Sequence, residues 1–523
     1  MAQGDGKLGL GEILNSLSDT ELRNTIDWHC LFAPDSVALV GASNIPAVCD
    51  IMWHLLASAK RKTYLVNPSV SEVLGIAAYG SVLDIPSSVD LAVIIASAPQ
   101  VPVVLQECAK KGAKAAVIIS GGFAEMGEQD SKLETELTKI AQQEGIRFIG
   151  PNSIGHADTS SQLSTLPWIG EITPGSVAFI SQSGSYAYRI ICNGISSGIG
   201  FSKLISTGNE ADLHLEDYLE YLAQDENTEV IIAYIEELRE GRRFFQLAKE
   251  TTVSKPIIVI KAGGAKESAR VVRSCELLAS SDAVYTAAFR QAGVIRVDDD
   301  DELCDVVTAL LNQPLPRGNR IGILTNGGGP GVMAVEACRR EGLEIAPLAS
   351  STMEKLDACL PPRWSHGNPI DTAGVSLADS PAIFSSLGVL MEDDNIDAIL
   401  LQVPVVLDTE GLSNIFNAGE IEAFKETEER SLSLLRQWIK EYGKPVVLVN
   451  QALEFATGRE TTSFLHKEGI PFYPNLRRAV RVLRHLAWYR GYLDIASHCL
   501  GQVRFASNRL APPVERPEVG ADP

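Results

Sequence analysis

SVAFISQSGSYAY (176–188) decides the fold. Four apolar residues, Val177–Ile180, lead into a Ser/Gly-rich turn, Ser181 to Ser185, and a helical pattern follows. An apolar run this short, bounded by turn residues, reads as a strand buried on both faces of a parallel sheet. The same grammar recurs in SVALVGAS (36–43), LAVIIAS (91–97), AAVIISGG (115–122), EVIIAYIEE (229–237), KPIIVIKAGG (255–264), RIGILTNGGGPG (320–331), IDAILLQVP (396–404) and KPVVLVNQ (444–451). Strands alternating with helices give right-handed βαβ units, so the fold class is α/β with doubly wound parallel sheets.

The runs fall into three groups, which sets the expected organisation. Residues 1–29 form a helical lead-in, 30–160 a Rossmann-like domain, 174–312 a first flavodoxin-like domain and 319–460 a second. Residues 461–523 form a helical segment with a Pro-rich, disordered tail. The Pro/Gly stretch NQPLPRGNR (312–320) reads as a linker.

Composition narrows the function classes. The chain has 523 residues, 45% hydrophobic and 21% charged, with a net charge of −21. An acidic balance argues against nucleic-acid binding, which needs a basic footprint. No stretch is long and apolar enough to span a membrane, and the start has no signal-peptide pattern, so a cytoplasmic location is expected. The nine cysteines are scattered and form no CxxC pair, so no metal site is expected.

Three Gly-rich turns carry candidate chemistry. Each places a helix N-terminus at the end of a strand, where backbone amides and the helix dipole favour an anion. The first is VGASNIP (40–46), with Gly41, Ala42 and Ser43, followed by a second strand-end loop holding Asn67 and Pro68. The second holds Ser183, Gly184 and Ser185; the third holds Gly328, Gly329 and Gly331. Each also has a purely structural reading, as a capped helix or a close backbone approach.

Taken in order, these turns and several further motifs resemble the NDP-forming acyl-CoA synthetases, the superfamily of succinyl-CoA synthetase and ADP-forming acetyl-CoA synthetase. The resemblance covers roughly residues 30–460. It rests on VALVGAS, VNP (66–68), VDLAVI (89–94), GGFAE (121–125), GPNSIG (150–155), SQSG (181–184), STGNEAD (206–212), YIEE (234–237), SDAVYTAAFRQAGVIRV (281–297), NGGGPGV (326–332) and NPIDTAG (368–374).

The resemblance implies a CoA-binding first domain using Gly41, Ala42, Ser43, Asn67, Pro68, Gly122 and Asn152, followed by two succinyl-CoA-synthetase-like flavodoxin domains. It implies an α-type subunit whose ATP/ADP and Mg are handled by a separate ATP-grasp β-type chain, and a homo-oligomer or larger assembly. In the family, a histidine on a loop like SHTGALAGSD carries the phosphoryl group, cradled by two helix N-termini and oriented by a glutamate. Glu236 matches that glutamate. Small departures are Ser153, where the family usually has Cys, and Ser185, where Ala is common.

The loop KAGGAKESARVVRSCELLASSDAVY (261–285) contains no histidine. Counted from its left end, Cys275 falls in the histidine slot; counted from its right end, Ser274 does. A serine phosphate is too stable to serve as an energetic relay, whereas a cysteine thiolate can carry an acyl group. Three readings stay open. The chain is a ligase subunit that passes the phosphoryl group by another route. Or it is an ATP-independent acyl-CoA transferase using Cys275 or Ser274. Or it is an inactive CoA-binding scaffold or regulatory subunit. The acyl group is not legible.

Overall fold

A computed structural model describes residues 26–58, 60–127, 131–263, 282–372, 380–402, 417–449 and 464–500. The loop with Ser274 and Cys275, most of the expected lead-in and the Pro-rich tail lie outside the described residues. The chain divides into two compact units, Met1–Asp300 and Asp301–Pro523.

The first unit opens with α1 (Trp28–Phe32), β1 (Ser36–Val40), α2 (Pro46–Ala57), β2 (Lys62–Val66), β3 (Glu72–Val73), β4 (Ile76–Tyr79), β5 (Leu91–Ile94), α3 (Val101–Lys110), β6 (Ala115–Ile118), α4 (Ser131–Glu144) and β7 (Arg147–Ile149). Its first sheet has the order β3-β4-β2-β1-β5-β6-β7, parallel except for the β3–β4 pair. Without the β3 appendage this is the 3-2-1-4-5-6 order of a Rossmann sheet, and the chain reverses direction across the sheet between β1 and β5. Every residue of β1, β5 and β6 is buried, which is why these strands read as continuous apolar runs.

The unit continues with β8 (His156–Asp158), β9 (Leu163–Ser164), β10 (Pro174–Ser181), α5 (Gly184–Ser196), β11 (Phe201–Ser206), α6 (Leu215–Gln224), β12 (Val230–Ile235), α7 (Gly241–Thr251), β13 (Ile257–Lys261), α8 (Asp282–Ala292) and β14 (Ile295–Val297). The second sheet runs β14-β13-β12-β10-β11-β8-β9. Its five parallel strands follow the flavodoxin-like 2-1-3-4-5 order, with the switch between β10 and β12. Two antiparallel strands, β8 and β9, close its far edge.

The β11 segment FSKLIS (201–206) is fully buried, yet it is absent from the apolar runs because Lys203 interrupts it. That lysine is 2% exposed and its Nζ is paired with Asp158 (3.1 Å) and Asp225 (2.9 Å). The rings of Phe32 and Tyr221 cover it at 5.8 and 5.6 Å.

The second unit holds all but the first residue of α9 (Asp300–Asn312), then β15 (Arg320–Thr325), α10 (Gly328–Arg340), β16 (Glu344–Ile345), α11 (Ser350–Cys359), β17 (Ile370–Asp371), α12 (Ser380–Glu392), β18 (Ala398–Gln402), α13 (Ala418–Tyr442), β19 (Val446–Val449), β20 (Phe472–Tyr473) and α14 (Leu476–Leu500). Its sheet order, β16-β15-β18-β19-β20 with β17 also on β15, is again flavodoxin-like. The sheet therefore extends past residue 460 to include Phe472–Tyr473. Local sequence sets the helix ends: Asn417 and Glu420 form a capping box on α13, and Gly443 ends it at φ +62°.

Candidate functional site

All three Gly-rich turns follow the first parallel strand of their sheet, β1, β10 or β15, at the point where strand order reverses. Open α/β sheets form ligand crevices at that position.

In the first turn, Gly41 has φ +94°, and a Cβ there would lie 2.0 Å from the Ile95 carbonyl oxygen. The glycine is thus demanded by the approach of the segment after β5, whatever binds. α2 begins at Pro46 with no side-chain cap, so its first amides are free for a ligand. Ser43 Oγ is buried without a hydrogen-bond partner among the described residues. Asn67 ties the two strand-end loops together: Nδ2 donates to Ala42 O (2.7 Å) and Oδ1 accepts from Ser69 N (2.7 Å). Pro68 is exposed.

The second turn borders a cleft of about 640 Å³. It lies at the carboxyl ends of β10 and β12, and loops after β6 and β7 contribute Glu125 and Asn152. Ser183 caps α5 by accepting from Tyr186 N (3.4 Å), and Ser181 Oγ donates to Ser183 O (2.8 Å). Gly184 abuts Ile154: an added Cβ would lie 2.6 Å from its Cγ2. Asn152, at φ +60°, donates from Nδ2 to Asn209 Oδ1 (3.2 Å). Asn209 Nδ2 in turn donates to Glu134 (2.9 Å) and Glu125 (2.5 Å). Gly122 does not line the cleft; its amide donates to Glu125.

Glu236 lines the same cleft, just past β12. Burial raises its carboxyl above the ordinary glutamate value, against the opposing charge of Lys261. The Lys261 ammonium donates to the Glu236 carbonyl (2.7 Å) and stands 4.6 Å over the Tyr285 ring. The structure thus brings Glu236, Ser183, Gly184, Ser185 and Asn152 around one space.

Sequence reasoning gave no role to Gln182, Glu210, Asn209 or Arg239, which share the cleft. Gln182 sits inside SQSG, and Glu210 and Asn209 inside STGNEAD, so the motifs flagged them without assigning them work. Glu210 is 3% exposed and at φ +54°, and burial pushes its carboxyl up to about 8. Among the described residues no group of three or more His, Cys, Asp or Glu could hold a metal ion. Nor is any helix there long and apolar enough to cross a membrane. The Cys30, Cys108 and Cys338 thiols are pushed up to about 12 by burial and are inert.

The third turn belongs to the second unit. Gly327, at φ +138°, precedes α10 and offers no side-chain cap. Gly331 packs on Pro369, Gly328 lies near Asp371, and Gly329 has open space around it. Packing explains Gly331 but not Gly329.

Residues 35–158 match the family described as a CoA binding domain, and residues 174–310 the succinyl-CoA ligase like flavodoxin domain. The chain is 39% identical over 446 residues to the acetate–CoA ligase [ADP-forming] II subunit alpha of Pyrococcus furiosus, covering 84% of this chain and 93% of that one. It is 40% identical over 375 residues to the acetate–CoA ligase [ADP-forming] I of Archaeoglobus fulgidus, covering 71% of this chain but 54% of that protein. Among solved structures it resembles the dinucleotide forming acetyl-coenzyme A synthetase 1 of Ca. Korarchaeum cryptofilum. The TM-score is 0.77 at 31% identity, with 91% of this chain and all (100%) of that one covered. These likenesses and the switch-point turns agree: the chain belongs to the NDP-forming acyl-CoA synthetase family and is an α-subunit-like member of it.

Proposed function

We propose that this chain is the CoA-binding, acyl-transferring subunit of an ADP-forming acid–CoA ligase. It works with an ATP-grasp chain that handles ATP/ADP and Mg, within a homo-oligomer or larger assembly. The observation that carries this reading is the cleft, where Glu236, its carboxyl raised by burial, lines the same space as the start of α5 at a switch point. CoA docks over Gly41, Ala42 and Ser43, with Asn67 and Pro68 bracing the neighbouring loop. In the cleft, the CoA thiol sulfur attacks the acyl carbon of an acyl phosphate. The C–S bond forms, the C–O bond to phosphate breaks, and the thiol proton is released. The amides at 183–185 stabilise the charge on the departing phosphate. The glycine turn at 328–331 is assigned the same anion-holding role, and Glu236 orients the reacting group. With no histidine between residues 261 and 285, the phosphoryl group passes from ATP to the acid, leaving ADP, by a route that does not use a histidine of that loop.

The test is turnover of the Glu236→Gln variant with acetate, ATP, Mg and CoA, in the presence of an ATP-grasp partner chain. Loss of about 100-fold or more in kcat is expected for a charged orienting group. Full turnover rejects the role. Intact-mass spectrometry of the chain incubated with acetyl-CoA separates the transferase reading: an acetyl adduct on Cys275 or Ser274 would replace the ligase reading with it.

A further inference from the structure

We propose that Gln182, backed by Glu210, is a positioning residue that fixes the peptide carrying Glu236 to the turn that opens α5. This rests on the role given above to Glu236.

The geometry is that of a side chain extending a sheet. β10 and β12 pair in parallel up to Ser181 and Tyr234, and the Gln182 amide makes one further bond to Tyr234 O (3.3 Å). Beyond that point the Gln182 carboxamide takes over. Its Oε1 accepts from Glu236 N (2.6 Å) and Glu237 N (3.0 Å), and its Nε2 donates to Glu237 O (2.6 Å). The second Nε2 hydrogen goes to Glu210 Oε2 (2.9 Å). Both donors and both lone pairs are used, so the amide has one orientation. Flipped, it would set an NH2 group against two backbone N–H donors.

Glu210 is built for this contact. It is 3% exposed, and its Oε2 accepts from Gln182 Nε2 with the Thr207 hydroxyl close by. Beyond residue 237 the loop is held by other groups. Leu238 N donates to Tyr285 Oη (3.4 Å), Glu240 N to Glu216 Oε1 (2.9 Å), and Arg239 Nη2 to Asn209 O (3.1 Å). Among the described residues, Gln182 alone joins the Glu236 peptide to the segment that continues as Ser183–Ser185. An orienting carboxylate and an anion cradle must keep their separation within a fraction of an ångström to act on one reacting group. This carboxamide sets that separation.

The test reads Glu236 in the full chain and needs no partner. The chain is labelled with ¹³Cδ-glutamate, and the Glu236 signal is located by its disappearance in Glu236→Gln. Its titration is then followed in wild type, Gln182→Met, Glu210→Ala and Glu210→Gln. Loosening the peptide exposes a carboxyl that burial holds high. The midpoint should therefore fall by about half a pH unit or more in Gln182→Met and Glu210→Ala. Glu210→Gln keeps an acceptor for Nε2 and should stay at the wild-type midpoint. An unchanged midpoint in Gln182→Met overturns the proposal. If that variant does not fold, Gln182→Asn, with the same groups on a shorter stem, is read the same way. Turnover by Glu236→Gln tests the functional reading separately, so each idea can fail alone.

Discussion

Replacing Glu210 by glutamine should change how the first unit's stability depends on pH. Burial holds this carboxyl at about 8 in the folded chain, against an ordinary value of 4.5, with Glu216 adding to the rise and Arg239 opposing it. The folded state therefore retains a proton that the unfolded chain releases above pH 4.5. Stability is unaffected by this group below that pH, falls as pH rises from 4.5 to about 8, and is level above. At about 1.4 kcal/mol per pH unit, the full loss is roughly 5 kcal/mol, an upper figure because the denatured chain is partly compact. Glutamine matches the neutral acid in shape and has no proton to lose. Wild type and Glu210→Gln should thus be within about 1 kcal/mol of each other at pH 5, and the variant more stable by about 3–5 kcal/mol at pH 9. The assay is hydrogen exchange of peptides from β11 and β12 at a series of urea concentrations, which reports the first unit alone. Parallel pH dependence of the two proteins would mean that Glu210 is ionised in the fold, and the reasoning would be wrong.

Gly41→Ala should destabilise the first unit by more than the roughly 1–2 kcal/mol of a left-handed backbone. The added Cβ also meets the Ile95 carbonyl at 2.0 Å, so β1 and β5 must part, and faster exchange of both strands checks it. Gly329→Ala has open space and an ordinary φ, so thermal stability should change by less than about 1 kcal/mol. A loss of turnover in that variant would then report a ligand approaching the α10 start. Lys203→Met leaves Asp158 and Asp225 buried without their shared cation. It should cost about 3–5 kcal/mol in thermal or urea unfolding at pH 7.

The parallel strands at the sheet centres were legible because burial on both faces leaves no polar alternation: β1, β5, β6, β10, β12 and β19 all read as apolar runs. The elements missed have physical reasons. β11 hides behind Lys203, whose charge is tolerated only because two aspartates and two rings meet it from other elements. Strands of two or three residues, such as β9, β16 and β20, carry too few side chains to show a period.

The sequence by itself determined the α/β class, the family and the three helix starts that could hold an anion, because each rests on neighbours in the chain. It also determined that the loop at 261–285 holds serine and cysteine but no histidine. Tertiary structure decided which glycines are demanded by packing: Gly41 by Ile95 and Gly184 by Ile154, partners 54 and 30 positions away. It alone placed Gln182 against Glu210 and Glu236, residues 28 and 54 positions apart in the chain. A side-chain hydrogen bond has no periodicity and leaves no local pattern; it exists only once sheet order has brought β10 beside β12.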